Sequence, residues 1–192
     1  MNEQEDPRLA ATRENALAAA LVLLEEKGVL AVTHAAIKSR TGISRSTLYR
    51  HWPELEALRN DAFLRAATVP SPSLVSSGTI EGDLAWHMGK LVNALNEAAW
   101  GKVAPHVISS AATDAGAQKV INEFMQERIA GVEAVFAAAV ERGEIDESPT
   151  HRHLVEAAIA IPYFRKFIAG LALDEEWLQE HVKTIHDLAT AR

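Results

Sequence analysis

Apolar positions along this chain recur every three or four residues rather than every second one, which predicts helices and no strands. Leu17, Leu21 and Leu24 share one face at i, i+4 and i+7, and their run stops at Lys27-Gly28. Pro7 stands in the first turn of that helix, where a missing N–H is not needed. A second, short helix is predicted from Thr33, whose hydroxyl accepts from a free first-turn N–H, to near Arg40, before the turn signal Thr41-Gly42. Ser44 caps a third helix that runs through Tyr49 and His51. Pro53 suits the first position of a fourth, Glu54 to Ala67.

Val69 to Gly78 is rich in proline, serine and glycine and reads as a loop and a boundary between lobes. Helices resume from Ile80 to Ala99 and from Lys102 to Ala112, with Gly101 between them. A long helix carries Ile121, Met125, Ile129, Val132, Phe136 and Val140 and stops at Arg142-Gly143. Two more are expected, from Thr150 to Ala169 and from Asp174 to Thr190. Asp174 is the N-cap of the last, with Glu175 and Glu176 placed favourably against the helix dipole. The expected fold is therefore all-α with about nine helices. A three-helix domain occupies 1–53 and a larger helical body 54–192, and helix 54–67 connects the two.

The 192 residues are 48% hydrophobic, enough for one compact unit or two small lobes. With no cysteine, disulfides, thiolate metal sites and cysteine nucleophiles are excluded. The polar, acidic start MNEQEDPRLAATREN does not resemble a secretory signal, and apolar runs such as Ala16 to Leu24 are too short for a membrane span. The expected protein is soluble and cytoplasmic, with no membrane partner. A net charge of −7 looks unfavourable for binding nucleic acid, but its distribution matters more than its total. Residues 1–66 hold nine Lys/Arg and nine Asp/Glu, whereas 67–192 hold ten against seventeen. Within the neutral part, Lys27 to Pro53 carries five basic residues, two histidines and no acid. That cationic island suits phosphates, and equally suits a solvated basic surface.

Thr33 to His51 has the grammar of a helix-turn-helix. Two short helices crossing steeply need a turn residue that tolerates positive φ, and Gly42 supplies it. Ile37, Ile43 and Leu48 are spaced to pack the pair against each other and against the Leu17/Leu21/Leu24 face. The second helix then offers Arg45, Ser46, Thr47, Tyr49 and Arg50, groups that suit base edges and phosphates. A purely structural αα-hairpin is the other reading, although its solvent face would more often carry Lys/Glu pairs.

The run Gly42-Ile-Ser-Arg-Ser-Thr-Leu-Tyr-Arg-His-Trp-Pro53, followed by Glu56-Ala-Leu58, resembles the signature of the TetR family of transcriptional regulators. Glu26-Lys-Gly28 resembles the end of that family's first helix. Glu141 to Ile145, Pro162 to Gly170 and Asp174 to Leu178 are loosely similar to the terminal helices of one subgroup. The resemblance implies a ligand-released repressor that binds a palindromic double-stranded DNA operator as a homodimer. It implies that Thr33 caps its helix against a phosphate, that Arg45, Ser46, Thr47 and Arg50 face the major groove, and that Tyr49 and His51 grip backbone phosphates. Two positions depart from the pattern. Leu55, between Glu54 and Glu56, stands where the family usually presents a lysine to a phosphate. Lys38 replaces a small residue, and either adds a phosphate contact by pointing outward or opens the crossing angle.

A single helix-turn-helix reads half a site, so something must dimerise. The candidates are Leu154, Ala158, Ile161, Tyr163, Phe167 and Ile168 on one terminal helix and Trp177, Leu178, Val182, Ile185 and Leu188 on the other. Some of these must also serve the chain's own core. For an unidentified small-molecule effector, Trp86, Trp100, His106 and Phe124 are the candidate pocket residues, and each of them suits a helical core as well. No cofactor and no metal is expected. His151-Arg-His153 has i, i+2 spacing, which points two rings apart on a helix. Neither an HExxH motif, a Glu-x-x-His pair, a phosphate-cradling glycine loop nor a Gly-x-Ser-x-Gly elbow is present. An enzyme is therefore not expected. An adaptor that has lost DNA binding remains the rival reading, with Leu55 and the neutral first lobe in its favour.

Overall fold

A computed structural model describes residues 7–67, 76–96 and 99–191. These residues form nine α-helices: α1 Pro7–Lys27, α2 His34–Thr41, α3 Arg45–His51, α4 Leu55–Ala67, α5 Ile80–Asn96, α6 Ala99–Ala111, α7 Ala115–Glu141, α8 His151–Tyr163 and α9 Glu175–Thr190. The all-α reading holds. The expected loop at Val69 to Gly78 lies outside the described residues except for its last three.

The chain divides into two compact units. One holds the described residues up to 67 together with 102–122; the other holds the remaining residues to 101 and those from 123 on. In chain order α6 and α7 therefore each contribute residues to both units.

In the first unit α1 packs on α4 and α2, and α2 on α3. The buried face of α1 is Ala16, Leu17, Ala20, Leu23 and Leu24, whereas Leu21 is only half-buried. Leu17 and Leu24 face inward as the periodicity predicts, and the alanines and Leu23 widen that face on the side away from Leu21. The fourth helix begins at Leu55, and Pro53 and Glu54 form the bend before it.

In the second unit α5 packs on α9 and α8, and α8 on α9. Gly101 does not separate two helices as expected; it lies inside α6. A Cβ there would come within 2.0 Å of the Leu95 carbonyl oxygen, so the glycine serves close packing and does not break the helix. The predicted helix from Thr150 to Ala169 also needs correction. Its α-helical part ends at Tyr163, and Phe164–Ile168 form one wide turn in which the Ala169 N–H reaches back five residues to the Phe164 carbonyl. Pro162 lies in the last turn of α8 and brings no N–H to the Ala158 carbonyl. His181 of α9 supplies the missing donor, its Nε2 standing 3.0 Å from the Ala158 oxygen.

Burial holds His181 below the ordinary imidazole value, against a smaller upward pull from its hydrogen bond to Ala158, and burial does the same to His87. A histidine depressed in the folded state contributes full stability above its unfolded value of 6.5 and loses it as pH falls toward the folded value. Urea midpoints are therefore expected to drop between pH 7.5 and pH 5, and His181→Gln to flatten that slope. A second prediction concerns Gly101. Helix propensity alone would make Gly101→Ala stabilising by about 1 kcal/mol. The close approach instead predicts a loss of about 1–3 kcal/mol in urea unfolding.

Candidate DNA-binding interface

The segment from Thr33 to Trp52 builds its geometry from local hydrogen bonds. Thr33 caps α2 by accepting from the Ala36 N–H at 3.1 Å, and Ser44 caps α3 by accepting from the Thr47 N–H at 3.1 Å. Between them Gly42 sits at φ 74°, left-handed backbone that costs a side-chain-bearing residue strain. Its N–H closes on the Lys38 carbonyl at 2.8 Å. Ile37 and Leu48 are fully buried, and Ile43 is half-buried between them.

Burying Leu48 turns the opposite face of α3 outward. Arg45, Ser46, Tyr49 and Arg50 are exposed, and Tyr49 keeps 51% of its surface. Thr47 and His51 are half-buried. The Ser44 hydroxyl lies 2.9 Å from that of Ser46 and 2.8 Å from that of Thr47, so both side chains are held at the start of α3. Lys38 is exposed on α2, the outward of its two possible placements, and Leu55 is half-buried at the start of α4. The cationic island is smaller than its sequence suggests. Arg40, though exposed, pairs with Glu26 at 3.3 Å and His34 is buried; Lys27, Lys38, Arg45 and Arg50 are its other exposed cations.

Three residues that sequence reasoning passed over hold α3 in place. Trp52, 2% exposed, ends α3 and donates its indole N–H to Asp61 of α4 at 2.8 Å. Asp61 also accepts from Arg13 of α1 at 2.6 Å. The Trp52 carbonyl meets His34 Nε2 of α2 at 2.9 Å, and the His34 ring lies 4.4 Å from that of Tyr49. Four helices meet on one indole. The signal was present in His-Trp-Pro: a tryptophan at a helix end, whose N–H needs a partner once buried.

Of the four candidate pocket residues, Trp100 and Phe124 are brought into contact. Trp100 and Phe124 stack at 4.0 Å, while Trp86 lies half-buried against the neighbouring His87 ring. His106 belongs to the first unit, where its ring lies against Gly28. The Trp100 indole N–H donates to the Tyr163 hydroxyl at 2.9 Å, and the Arg128 guanidinium lies 4.4 Å over the Phe124 ring. Arg128 and Tyr163 were thus missed as members of this cluster, although Phe124 and Arg128 stand at i, i+4 on α7.

Of the candidate dimer residues, Ala158, Tyr163, Leu178, Val182 and Ile185 are buried within the chain itself. Leu154, Phe167 and Trp177 are half-buried, and Ile161 is 42% exposed. Trp177 stacks on His181 of its own helix at 4.9 Å. Large apolar side chains left exposed in this part of the chain are Ile161, Ile168 and Leu188, with Phe164 and Leu171 added. Among the described residues no three His, Cys, Asp or Glu side chains gather as a metal site. No described helix is long and apolar enough to cross a membrane.

Family models match nearly the whole chain. Residues 16–62 match that of the bacterial regulatory proteins of the tetR family, and residues 74–185 match a tetracyclin-repressor-like C-terminal domain. The chain belongs to the TetR family. It is a helix-turn-helix transcriptional regulator, not an enzyme, and its macromolecular partner is DNA. It is similar to YdeS of Bacillus subtilis (strain 168), an HTH-type transcriptional regulator of uncharacterised role, at 27% identity over 92% of this chain and 88% of that one. Among solved structures it resembles Salmonella enterica GusR, with a TM-score of 0.71 at 19% identity over 98% of this chain and 97% of that chain. It also resembles a Saccharomonospora viridis protein solved in complex with choline, with a TM-score of 0.69 at 14% identity over 91% and 95%. These two likenesses speak for the fold of this TetR-family chain.

If His34 fixes the end of α3, His34→Leu keeps the ring's volume but leaves the Trp52 carbonyl without its donor. The expected cost is about 1–3 kcal/mol in urea unfolding, with the α3 amides exchanging faster than those of α1.

Proposed function

We propose that this TetR-family regulator is a homodimeric repressor that reads a palindromic operator with α3 and is released by a small molecule bound in its second unit. The observation that carries the reading is the outward face of α3, where Arg45, Ser46, Tyr49 and Arg50 are exposed on a helix fixed at both ends. In this reading Arg45 and Arg50 meet base edges or phosphates, with Ser46 and Thr47 alongside them. Tyr49 and His51 hold the backbone. The Thr33 hydroxyl accepts from Ala36 and keeps its own O–H to give to a phosphate. Lys38 adds a cation that offsets the lysine replaced by Leu55.

Half-site spacing requires two copies. The exposed stripe of Ile161, Phe164, Ile168 and Leu171, with Leu188 of α9, is the face that a second copy would cover. Tyr163, Leu178, Val182 and Ile185 would support that face from behind, and Leu154, Phe167 and Trp177 would border it.

Release follows from differential affinity: an effector shifts the dimer only as far as it binds the two states unequally. The chain path suggests α6 and α7 as carriers, since each contributes to both units. At the first unit their ends are fastened: Asp114 caps α7 at the Ala117 N–H, 2.8 Å away, and accepts from Asn60 of α4 at 3.2 Å. The complexed choline in the Saccharomonospora viridis protein supports a small-molecule effector as a class.

Selection of bound sequences from random duplex DNA tests the reading. The wild type should enrich a palindrome that the Arg45→Ala/Tyr49→Ala double variant loses. Arg50→Ala should weaken binding by about 1–3 kcal/mol. An Ile161→Glu/Ile168→Glu variant should sediment as a folded monomer and lose the palindrome. Enrichment of nothing by the wild type, with or without candidate effectors, would favour the adaptor reading.

A further inference from the structure

In the second unit a cation lies beside an aromatic cluster. Trp100 is fully buried against Phe124, and Tyr163 accepts the Trp100 indole N–H. The Arg128 guanidinium lies 4.4 Å over the Phe124 ring, and its side chain is only 12% exposed. Glu127, the neighbouring carboxylate, stands 3.7 Å away and is 62% exposed. Burial lowers Arg128 from the ordinary guanidinium value and drives the Tyr163 phenol far upward. Phe124, Arg128 and Gly131 recur at i, i+4 and i+7, and so share one face of α7. His87 of α5 lies against Gly131, where a Cβ would stand 3.3 Å from its ring. The buried His87 Nε2 has no hydrogen-bond partner.

The guanidinium is a planar fork of N–H donors, and beside an aromatic face it complements a carboxylate that reaches it. The His87 ring turns its Cε1–Nδ1 edge to Gly131, its buried Nε2 offers a further polar contact, and the aromatic rings offer a flat apolar surface. Resting on the reading of this chain as an effector-released regulator, we infer that its effector is an organic anion, a carboxylate on a flat apolar body. The carboxylate meets Arg128, with His87 Nε2 as a second donor, and the apolar body replaces part of the Trp100–Phe124–Tyr163 packing. Three aromatic rings would otherwise suit a quaternary ammonium. Arg128 already occupies the Phe124 face, so a ligand cation would meet a like charge there. Parting Trp100 of α6 from Phe124 of α7 also gives the anion unequal affinity for two arrangements of those helices, which release requires.

The test measures thermal shift and release of the selected operator with benzoate, phenylacetate, 3-phenylpropionate and octanoate. The matching amides and amines, and choline, serve as controls. Wild type is compared with Arg128→Met, which keeps the stem without the charge, and Arg128→Lys, which keeps the charge without the planar fork. At least one carboxylate should stabilise the protein and release operator, with its amide weaker by about tenfold or more. Arg128→Met should lose that response while still dimerising and binding operator, and Arg128→Lys should recover part of it. The inference is overturned if amides, amines or choline act as well as the carboxylates, if Arg128→Met retains the carboxylate response, or if no carboxylate binds. Release by an uncharged compound alone would leave the effector reading standing and remove only the anion. Silence from every compound, with operator binding intact, would remove both at this site.

Discussion

Trp52 is the residue on which the presentation of α3 depends. Its burial draws three polar bonds together: indole N–H to Asp61, carbonyl to His34, and Asp61 to Arg13. A buried indole N–H or carbonyl without a partner costs about 1–3 kcal/mol, so these bonds act as conditions on one another. If α3 rolls, the indole leaves Asp61; if α2 shifts, the Trp52 carbonyl loses His34. The seven residues of α3 could not hold a helix by propensity, since isolated helices need about 12–15 residues to be even marginal. Tertiary ties replace the length that α3 lacks. They leave its outer side chains to meet a partner.

The second unit solves the reverse problem, because it contains groups that do not sit quietly in a core. Asp83 is fully buried at the start of α5. Burial alone would raise its pKa, but the Ser77 N–H and hydroxyl and the Arg142 guanidinium hold the carboxyl below its usual range. That network closes on itself within one end of the unit. Arg128 and His87 have a different setting. Arg128 lies over the Phe124 ring beside Glu127, and His87 lies against the Trp86 ring and Gly131. A fold that keeps a cation and an unpartnered imidazole nitrogen among aromatics retains chemistry that a stability argument alone would remove.

Much of the first unit was legible because its signals are local. Thr33, Gly42 and Ser44 act through hydrogen bonds and dihedrals within three or four residues, and each does what its side chain suggests. The bonds of Trp52, His34 and Asp61 were not legible, since they span nine to forty-eight residues and need the fold to bring them together. Gly101 was misread because a glycine placed for space and a glycine placed for a turn look alike in sequence; the Leu95 carbonyl distinguishes them. The terminal helices were ambiguous for another reason. A stripe at i, i+4 gives periodicity but no direction, so inward Ala158, Val182 and Ile185 and outward Ile161 were grouped as one face. The wide turn at Phe164–Ile168 then adds a residue to the register, which no period of 3.6 predicts. The pocket residues were chosen for chemistry without topology, which is why Arg128 and Tyr163, neighbours of Phe124 and Trp100, were passed over.

The central claim is that α3, fixed by Trp52, is the surface that meets DNA. Hydrogen exchange followed by mass spectrometry, on the full chain with and without the selected duplex, tests it directly. Added protection should centre on residues 33–53, strongest across Ser44 to His51. Unchanged exchange over that segment, with new protection confined to another surface, would contradict the account.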